Sequence, residues 1–428
     1  YSVLIFELLK FQMTKMRTKN ASKALSRFED SAFIQAKDYA LQAFEHPSIK
    51  GNTLPIKKET TRLDYGENEL SSSKQVKNSI LESFVRQHFS AEEKNPSNEI
   101  KSFIKNRFGL NCEFDSIHFG NGVAPLFAAV AKSCKMQNGT ILFPQGAYGY
   151  FYATSKFYDV NLVVVETYFK DSFKVSIEQL SKSIEGIKNP YLFLNFPLVN
   201  PTGALYNEAE TDELFNLLVS ENVNVIIDTV FSGLEFDGVK RISLDKYAEK
   251  GLKYTLIGGV SKEFSAGGLR FGFTITTNEE SRRAFENYVI DEPHFSIKHT
   301  VKRLYHLINE KDKALLDDLK NQQVKLKERY SELNEVLQSL GWKVLPPQGG
   351  LFLVAKPEKY IGQKIMFDGK EMLISSSNIN EALFYSVGLL INNDVWTGIS
   401  DYCRFVLSVE DFVFIDAIDK IKAFDRLV

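Results

Sequence analysis

The segment Ser261-Lys262-Glu263-Phe264-Ser265-Ala266-Gly267-Gly268-Leu269-Arg270 follows directly on the apolar run YTLIGGVS at 254–261. A lysine used as a Schiff-base amine needs a lowered pKa and a fixed position, and a strand end inside a cleft provides both. Arg270, eight residues further on, is a fixed cation suited to gripping a phosphate through two hydrogen bonds, and the Gly267-Gly268 pair lets the backbone turn tightly between them. A surface loop with an incidental lysine is the bland alternative. Asp228 closes the run NVIIDT at 224–229. An aspartate at the carboxyl end of an apolar strand faces the ligand crevice of an open α/β sheet; the competing role is a helix N-cap.

Four weaker signals lie around these two. Asn200-Pro201-Thr202-Gly203 follows the run YLFLNFP at 191–197 and taken alone is a β-turn. Gly120-Asn121-Gly122-Val123 precedes the helical run Ala124 to Ser133, where free backbone N–H groups would suit a phosphate. Tyr148, in PQGAYGYFYA at 144–153, has a face to stack on a flat ring, or packs into a core with its aromatic neighbours. Arg404, in YCRFVLSV, is placed either to take a carboxylate through its fork or to form a rim salt bridge.

The elements that must position these residues follow from the pattern of the chain. Between about 110 and 280, short β-branched runs recur: TILFP at 140–144, LVVVET at 162–167, YLFLNFP, NVIIDT, YTLIGGVS and FGFTITT at 271–277. Segments such as Glu208 to Val219 separate them with helical texture. Strands buried on both faces alternating with helices imply an α/β domain around a mostly parallel sheet. Leu4, Leu8, Phe11, Phe28, Phe33 and Ala36 predict helix over the first fifty or so residues, and Pro, Gly, Asn and Thr near His46 to Pro55 predict a linker. Lys298 to Leu340 is a long, charged, proline-free helical stretch able to bridge two domains. Beyond it, WKVLPPQGGLFLVAK and YCRFVLSV predict strands of a smaller α+β domain that ends in a helix from Phe412 to Phe424.

With 428 residues, 44% hydrophobic and 25% charged, the chain can fill two or three domains, and a net charge of -2 gives no electrostatic case for nucleic acid or an anionic membrane. The six histidines show no metal-ligand spacing, and three cysteines without a CxxC suit a reduced, cytoplasmic compartment. Val3 to Phe11 is too short to span a bilayer. A chain that begins at Tyr1 is expected to be a piece of something longer.

Taken in order, the phosphate loop, the aromatic, NPTG, Asp228, Ser261-Lys262, Arg270 and Arg404 resemble the motif set of fold-type-I pyridoxal-phosphate (PLP) enzymes, the class I/II aminotransferases, from about Leu63 to the C-terminus. DYGEN at 64–68 resembles the Gly-Glu loop at the start of these enzymes. A narrower likeness runs through ILESFVRQ at 80–87, SGLEF at 232–236, Gly341 to Pro357 and WTGISDYCRFVLSVED at 396–411. These resemble the C-terminal aminotransferase-like region of methionine S-methyltransferases, whose methyltransferase part would precede Tyr1.

The resemblance implies a large domain at 86–300 with a mixed, mostly parallel seven-stranded sheet flanked by helices. It also implies a small α+β domain made from 56–85 and, after a bridging helix, from the remainder of 301–428; residues 1–55 would be a helical tail and linker. Lys262 would carry pyridoxal 5'-phosphate and move the substrate proton, and Asp228 would keep the pyridine nitrogen protonated. Asn200 would reach the ring oxygen and the substrate, and Gly122, Val123, Ser261 and Arg270 would hold the phosphate. Tyr148 would stack on the ring, and Arg404 with Gly66 would hold the substrate carboxylate. An amino acid and a 2-oxo acid are the implied small molecules, methionine or S-methylmethionine the implied class, and a homodimer the implied assembly. Two departures stand out: Phe231 where relatives often have a tyrosine, and Gly259 where they often have a serine. Another PLP reaction, decarboxylation or γ-elimination, and a non-catalytic regulatory domain stay open, although retention of Lys262, Asp228, Arg270 and Arg404 argues against the last.

Overall fold

The computed structural model describes residues 54–55, 59–86, 88–111, 117–236, 242–288, 293–367 and 370–428. The predicted helical tail and most of the predicted linker lie outside these residues.

In chain order, the strands are β1 (Thr61–Arg62), β2 (His118–Gly120), β3 (Thr140–Pro144), β4 (Asn161–Val165), β5 (Pro190–Asn195), β6 (Asn224–Asp228) and β7 (Lys253–Gly259). There follow β8 (Gly272–Thr276), β9 (Lys343–Leu345), β10 (Phe352–Lys356), β11 (Lys364–Phe367), β12 (Lys370–Leu373), β13 (Leu389–Leu390) and β14 (Cys403–Val406). Seven of them make one sheet in the order β2-β8-β7-β6-β5-β3-β4. Strands β3 to β7 pair in parallel, and β8 runs antiparallel to both β7 and β2.

The continuous apolar runs are explained by burial on both faces. Alternate residues of one strand enter different cores: Tyr191 and Phe193 pack with Phe127, Val130 and Phe285, while Leu192 and Leu194 pack with Ile104, Leu214 and Leu304. Helices Val123–Met136 and Glu279–Tyr288 therefore cover one face, and helices Ser97–Phe108, Glu208–Ser220 and Phe295–Asn309 the other.

A further core gathers around the antiparallel sheet β14-β10-β9 and the helices Ile379–Val387 and Asp411–Asp425. The long charged stretch predicted over 298–340 is two helices, Phe295–Asn309 and Lys313–Ser339. Lys311 turns the backbone at φ 56°, and the Asp312 side chain accepts from the Leu315 amide at 2.9 Å to start the second helix. That helix reaches both cores: Leu315 and Leu319 join the sheet's core, and Leu326, Leu333 and Leu337 the smaller one.

Candidate active site

Parallel strands bring their carboxyl ends to one edge, so Asp228, Asn195 and the segments after β3, β5 and β7 share it. The reversal at β8 brings two more pieces to the same edge, because Gly272 pairs with both Gly259 and Gly120.

Asp228 is buried, at 6% exposure. It accepts from Asn195 Nδ2 at 3.0 Å, its register neighbour on β5, and from the Val230 amide at 3.1 Å. Burial pushes its carboxyl up to about 6, against these two donors and the nearby charge of Lys262.

Lys262 follows β7, and Nζ donates to the Gly66 carbonyl at 2.9 Å and to Glu67 Oε2 at 2.7 Å. Burial lowers its pKa most strongly; Glu67 opposes that, and Arg404 and Arg270 reinforce it. The loop carrying Lys262 is fixed from below. Arg107, on helix Ser97–Phe108, meets the Glu263 carboxylate through two hydrogen bonds of 2.8 and 3.0 Å, with both side chains under 10% exposed. Arg107 also reaches Ser232 at 3.4 Å, tying in the segment that follows Asp228.

The phosphate-type cradle depends on missing side chains. Gly122 sits at φ 89° before helix Val123–Met136, and a Cβ there would lie 2.7 Å from Arg270 Nη2. A Cβ on Gly272 would lie 2.6 Å from the Gly122 carbonyl. The guanidinium of Arg270 is thus held against the free amide end of a helix, an arrangement made for an anion. Ser261 lies beside Gly267 in the same loop. At Gly259 a Cβ would meet the Phe271 carbonyl oxygen at 2.7 Å, so the serine that the resemblance leads one to expect there does not fit this backbone.

Arg404 is the most constrained cation. Asn392 Oδ1 accepts from its Nε at 3.1 Å and Nη2 at 2.9 Å, and Nη2 also approaches the Asp64 carbonyl at 3.4 Å. The rings of Phe352 and Trp396 flank its guanidinium at 4.1 and 4.0 Å. Asp64 pairs with Arg62 and leaves Arg404 without a carboxylate of its own among the described residues. Burial pushes Arg404 down to about 9, because a charge out of water needs a counter-ion. Its Nη1 makes no hydrogen bond among the described residues. Gly66 keeps room beside it, since a Cβ there would lie 3.2 Å from Nη2.

Tyr148 faces Arg404 and Glu67, contacts Phe151 edge-on at 5.3 Å and keeps 40% of its surface exposed. Asn200, in the segment after β5, has a buried Oδ1 with no partner among the described residues. Phe231 packs edge-on against Phe352, the ring under Arg404. Of the residues singled out from sequence, those of the large sheet lie on this edge or on the loops around it, while Arg404 reaches it from β14 of the smaller sheet and Gly66 from the loop after β1. Glu67, Asn195, Asn392 and the Arg107–Glu263 pair were not singled out. Only the position of Glu67 beside Gly66 could have flagged it, since the others act by side-chain geometry that spacing does not reveal.

A fold with this sheet and this edge defines a class, and residues 86–393 match the model of the aminotransferase class I and II family. The chain belongs to that family. It is 31% identical to methionine S-methyltransferase of Hordeum vulgare over the whole chain, which spans 40% of that protein's length. The Arabidopsis thaliana methionine S-methyltransferase matches to the same degree. A histidinol-phosphate aminotransferase of Syntrophus aciditrophicus (strain SB) is 27% identical over 57% of this chain and 64% of its own. In fold, the aspartate aminotransferase of Rhizobium meliloti superposes with a TM-score of 0.75 over 94% of this chain and 98% of its own, at 18% identity. No described helix is long and apolar enough to cross a membrane.

Proposed function

We propose that this chain is a PLP-dependent aminotransferase acting on an amino acid of the methionine or S-methylmethionine type, as part of a longer methionine S-methyltransferase-like protein. The observation that carries the reading is Arg404: a buried, aromatic-flanked guanidinium without a carboxylate, in the crevice that also holds Lys262 and Asp228. The glycine cradle around Arg270 supports the fit of the cofactor. Lys262 would attach it through Nζ, Asp228 would meet its ring nitrogen, Asn200 its ring oxygen, Tyr148 its face, and Ser261, Arg270 and the Gly122 and Val123 amides its phosphate.

When bound, PLP supplies an electron sink for the carbon bearing the substrate's amino group. Arg404 would clamp the substrate carboxylate with help from Gly66, fixing the Cα–H bond in one orientation. Lys262 Nζ, once free, would take the proton from Cα; its burial lowers its pKa in the direction of the neutral amine that this step needs. For a sulfonium side chain, the half-exposed, mutually stacked Tyr148 and Tyr150 offer π faces.

The chain spans 40% of the methyltransferase relatives' length, and the rival reading is a regulatory domain of such a protein with no chemistry of its own. Purified chain should show a visible absorption band with PLP, and mass spectrometry after incubation with methionine-related amino acids and a 2-oxo acid should find the corresponding keto acid. Amine or sulfide products would mean a different reaction on the same scaffold; no band and no product would leave the regulatory reading.

A further inference from the structure

The mechanism above leaves one half-buried contact unused: the carboxylate of Glu67 lies 2.7 Å from Lys262 Nζ. The backbone that carries this carboxylate is fixed. Its loop is pinned on both flanks, by Leu63 N to Leu390 O at 2.8 Å, Val406 N to Leu63 O at 2.9 Å and Glu69 N to Ser408 O at 2.7 Å. The Glu67 carbonyl accepts from Ser408 Oγ at 2.7 Å. Next to it, Asn68 Nδ2 donates to the Lys262 carbonyl at 2.6 Å and to Gln322 at 2.9 Å, locking this loop to the lysine loop. Room for the carboxylate is also provided: a Cβ on Gly267 would lie 3.0 Å from Glu67 Oε2. The side chain keeps 37% of its surface exposed against 14% for Lys262, so it stands between the amine and water.

We infer that Glu67 is a further catalytic residue, the counter-charge in contact with Lys262 Nζ when that nitrogen, free of cofactor, takes up a proton. This rests on the reading of Lys262 as the cofactor lysine. In the proton step, the proton leaves substrate Cα for Nζ, and the electron pair of the C–H bond stays with the carbon. The amine thereby gains a positive charge in a crevice that already holds Arg404 and Arg270. The Glu67 carboxylate accepts a hydrogen bond from the new ammonium and offsets its charge. It also holds Nζ in one place, at the Gly66 side of the crevice where Arg404 fixes the carboxylate end. The charged or titratable groups facing this pair are Arg404, Arg270, Asp228, Tyr148 and, on the loop itself, Glu69. Two of them are cations and none of the other three reaches Nζ by hydrogen bond, so Glu67 is the counter-charge in contact.

The test is competitive amine labelling of the cofactor-free full chain across pH, with mass spectrometry reading Lys262 alone. Glu67→Gln keeps the size and an acceptor oxygen but removes the charge. It should lower the Lys262 midpoint by about one pH unit, seen as about tenfold faster labelling below the midpoint. Glu67→Asp should recover part of the shift. Glu69→Gln removes a charge from the same loop without contact to Lys262 and should leave the midpoint in place. With PLP and substrate in deuterated water, Glu67→Gln should slow Cα exchange with a shifted pH profile. An unmoved midpoint in Glu67→Gln, or an equal shift in Glu69→Gln, overturns the role of Glu67 while borohydride still fixes PLP to Lys262. Failure of borohydride to fix PLP there overturns the cofactor reading, and the role of Glu67 with it.

Discussion

Asp228 and Arg404 are buried ionisable groups with no ion-pair partner among the described residues, and each yields a prediction at the level of one side chain. Burial raises the Asp228 carboxyl to about 6, so the folded chain keeps a proton that the unfolded chain gives up at lower pH. The stability this group contributes is present in acid and is lost as pH rises through about 6. Between about pH 4 and pH 7 the cofactor-free chain should lose roughly 2 kcal/mol from this source, and Asp228→Asn should flatten the slope in urea titrations. In the loaded protein the same substitution should slow proton abstraction roughly 10²-fold or more, since the ring-nitrogen proton loses its anion. An unaltered slope and an unaltered rate would remove Asp228 from the crevice. At Arg404, lysine keeps the charge but loses the fork. Arg404→Lys should raise the amino-acid KM by roughly ten- to a hundredfold with PLP still bound. An unchanged KM would mean the carboxylate is held elsewhere.

At the scale of elements, the buried Arg107–Glu263 pair joins a helix to the lysine loop. Removing the cation leaves an uncompensated buried carboxylate, so Arg107→Ala should cost roughly 3–5 kcal/mol in chemical denaturation, and Arg107→Lys less. A loss near zero would show that the pair holds nothing. The strands around this pair were legible because they are buried on both faces: TILFP was bounded as observed, and NVIIDT and FGFTITT to within a residue at each end. Hydrophobicity alone did not show the break between helices at Lys311, because a single left-handed residue and an Asp cap interrupt an otherwise uninterrupted helical texture. The three-residue β2 and the hairpin of β11 and β12 lack a long apolar run and were missed for that reason. Site residues at strand ends could be read from position and type. The groups that orient them, Asn195 and Asn392, could not, because an asparagine's role is set by what the fold places opposite it.

For the molecule as a whole, the crevice draws Asp228 and Lys262 from the large sheet and Arg404 from the smaller one, with one helix reaching both cores. A ligand bound there should stabilise the whole described fold. PLP at about a hundred times its Kd should add about 2.7 kcal/mol to unfolding, in one transition seen by near- and far-ultraviolet signals alike. Two separated transitions would contradict that coupling. The central claim is that Lys262 carries the cofactor, and borohydride reduction after PLP loading followed by peptide mapping tests it most directly. The visible band should bleach and the fixed cofactor should map to the peptide containing Lys262, with none fixed in Lys262→Ala. A tag on another lysine, or full turnover by Lys262→Ala, would contradict the account.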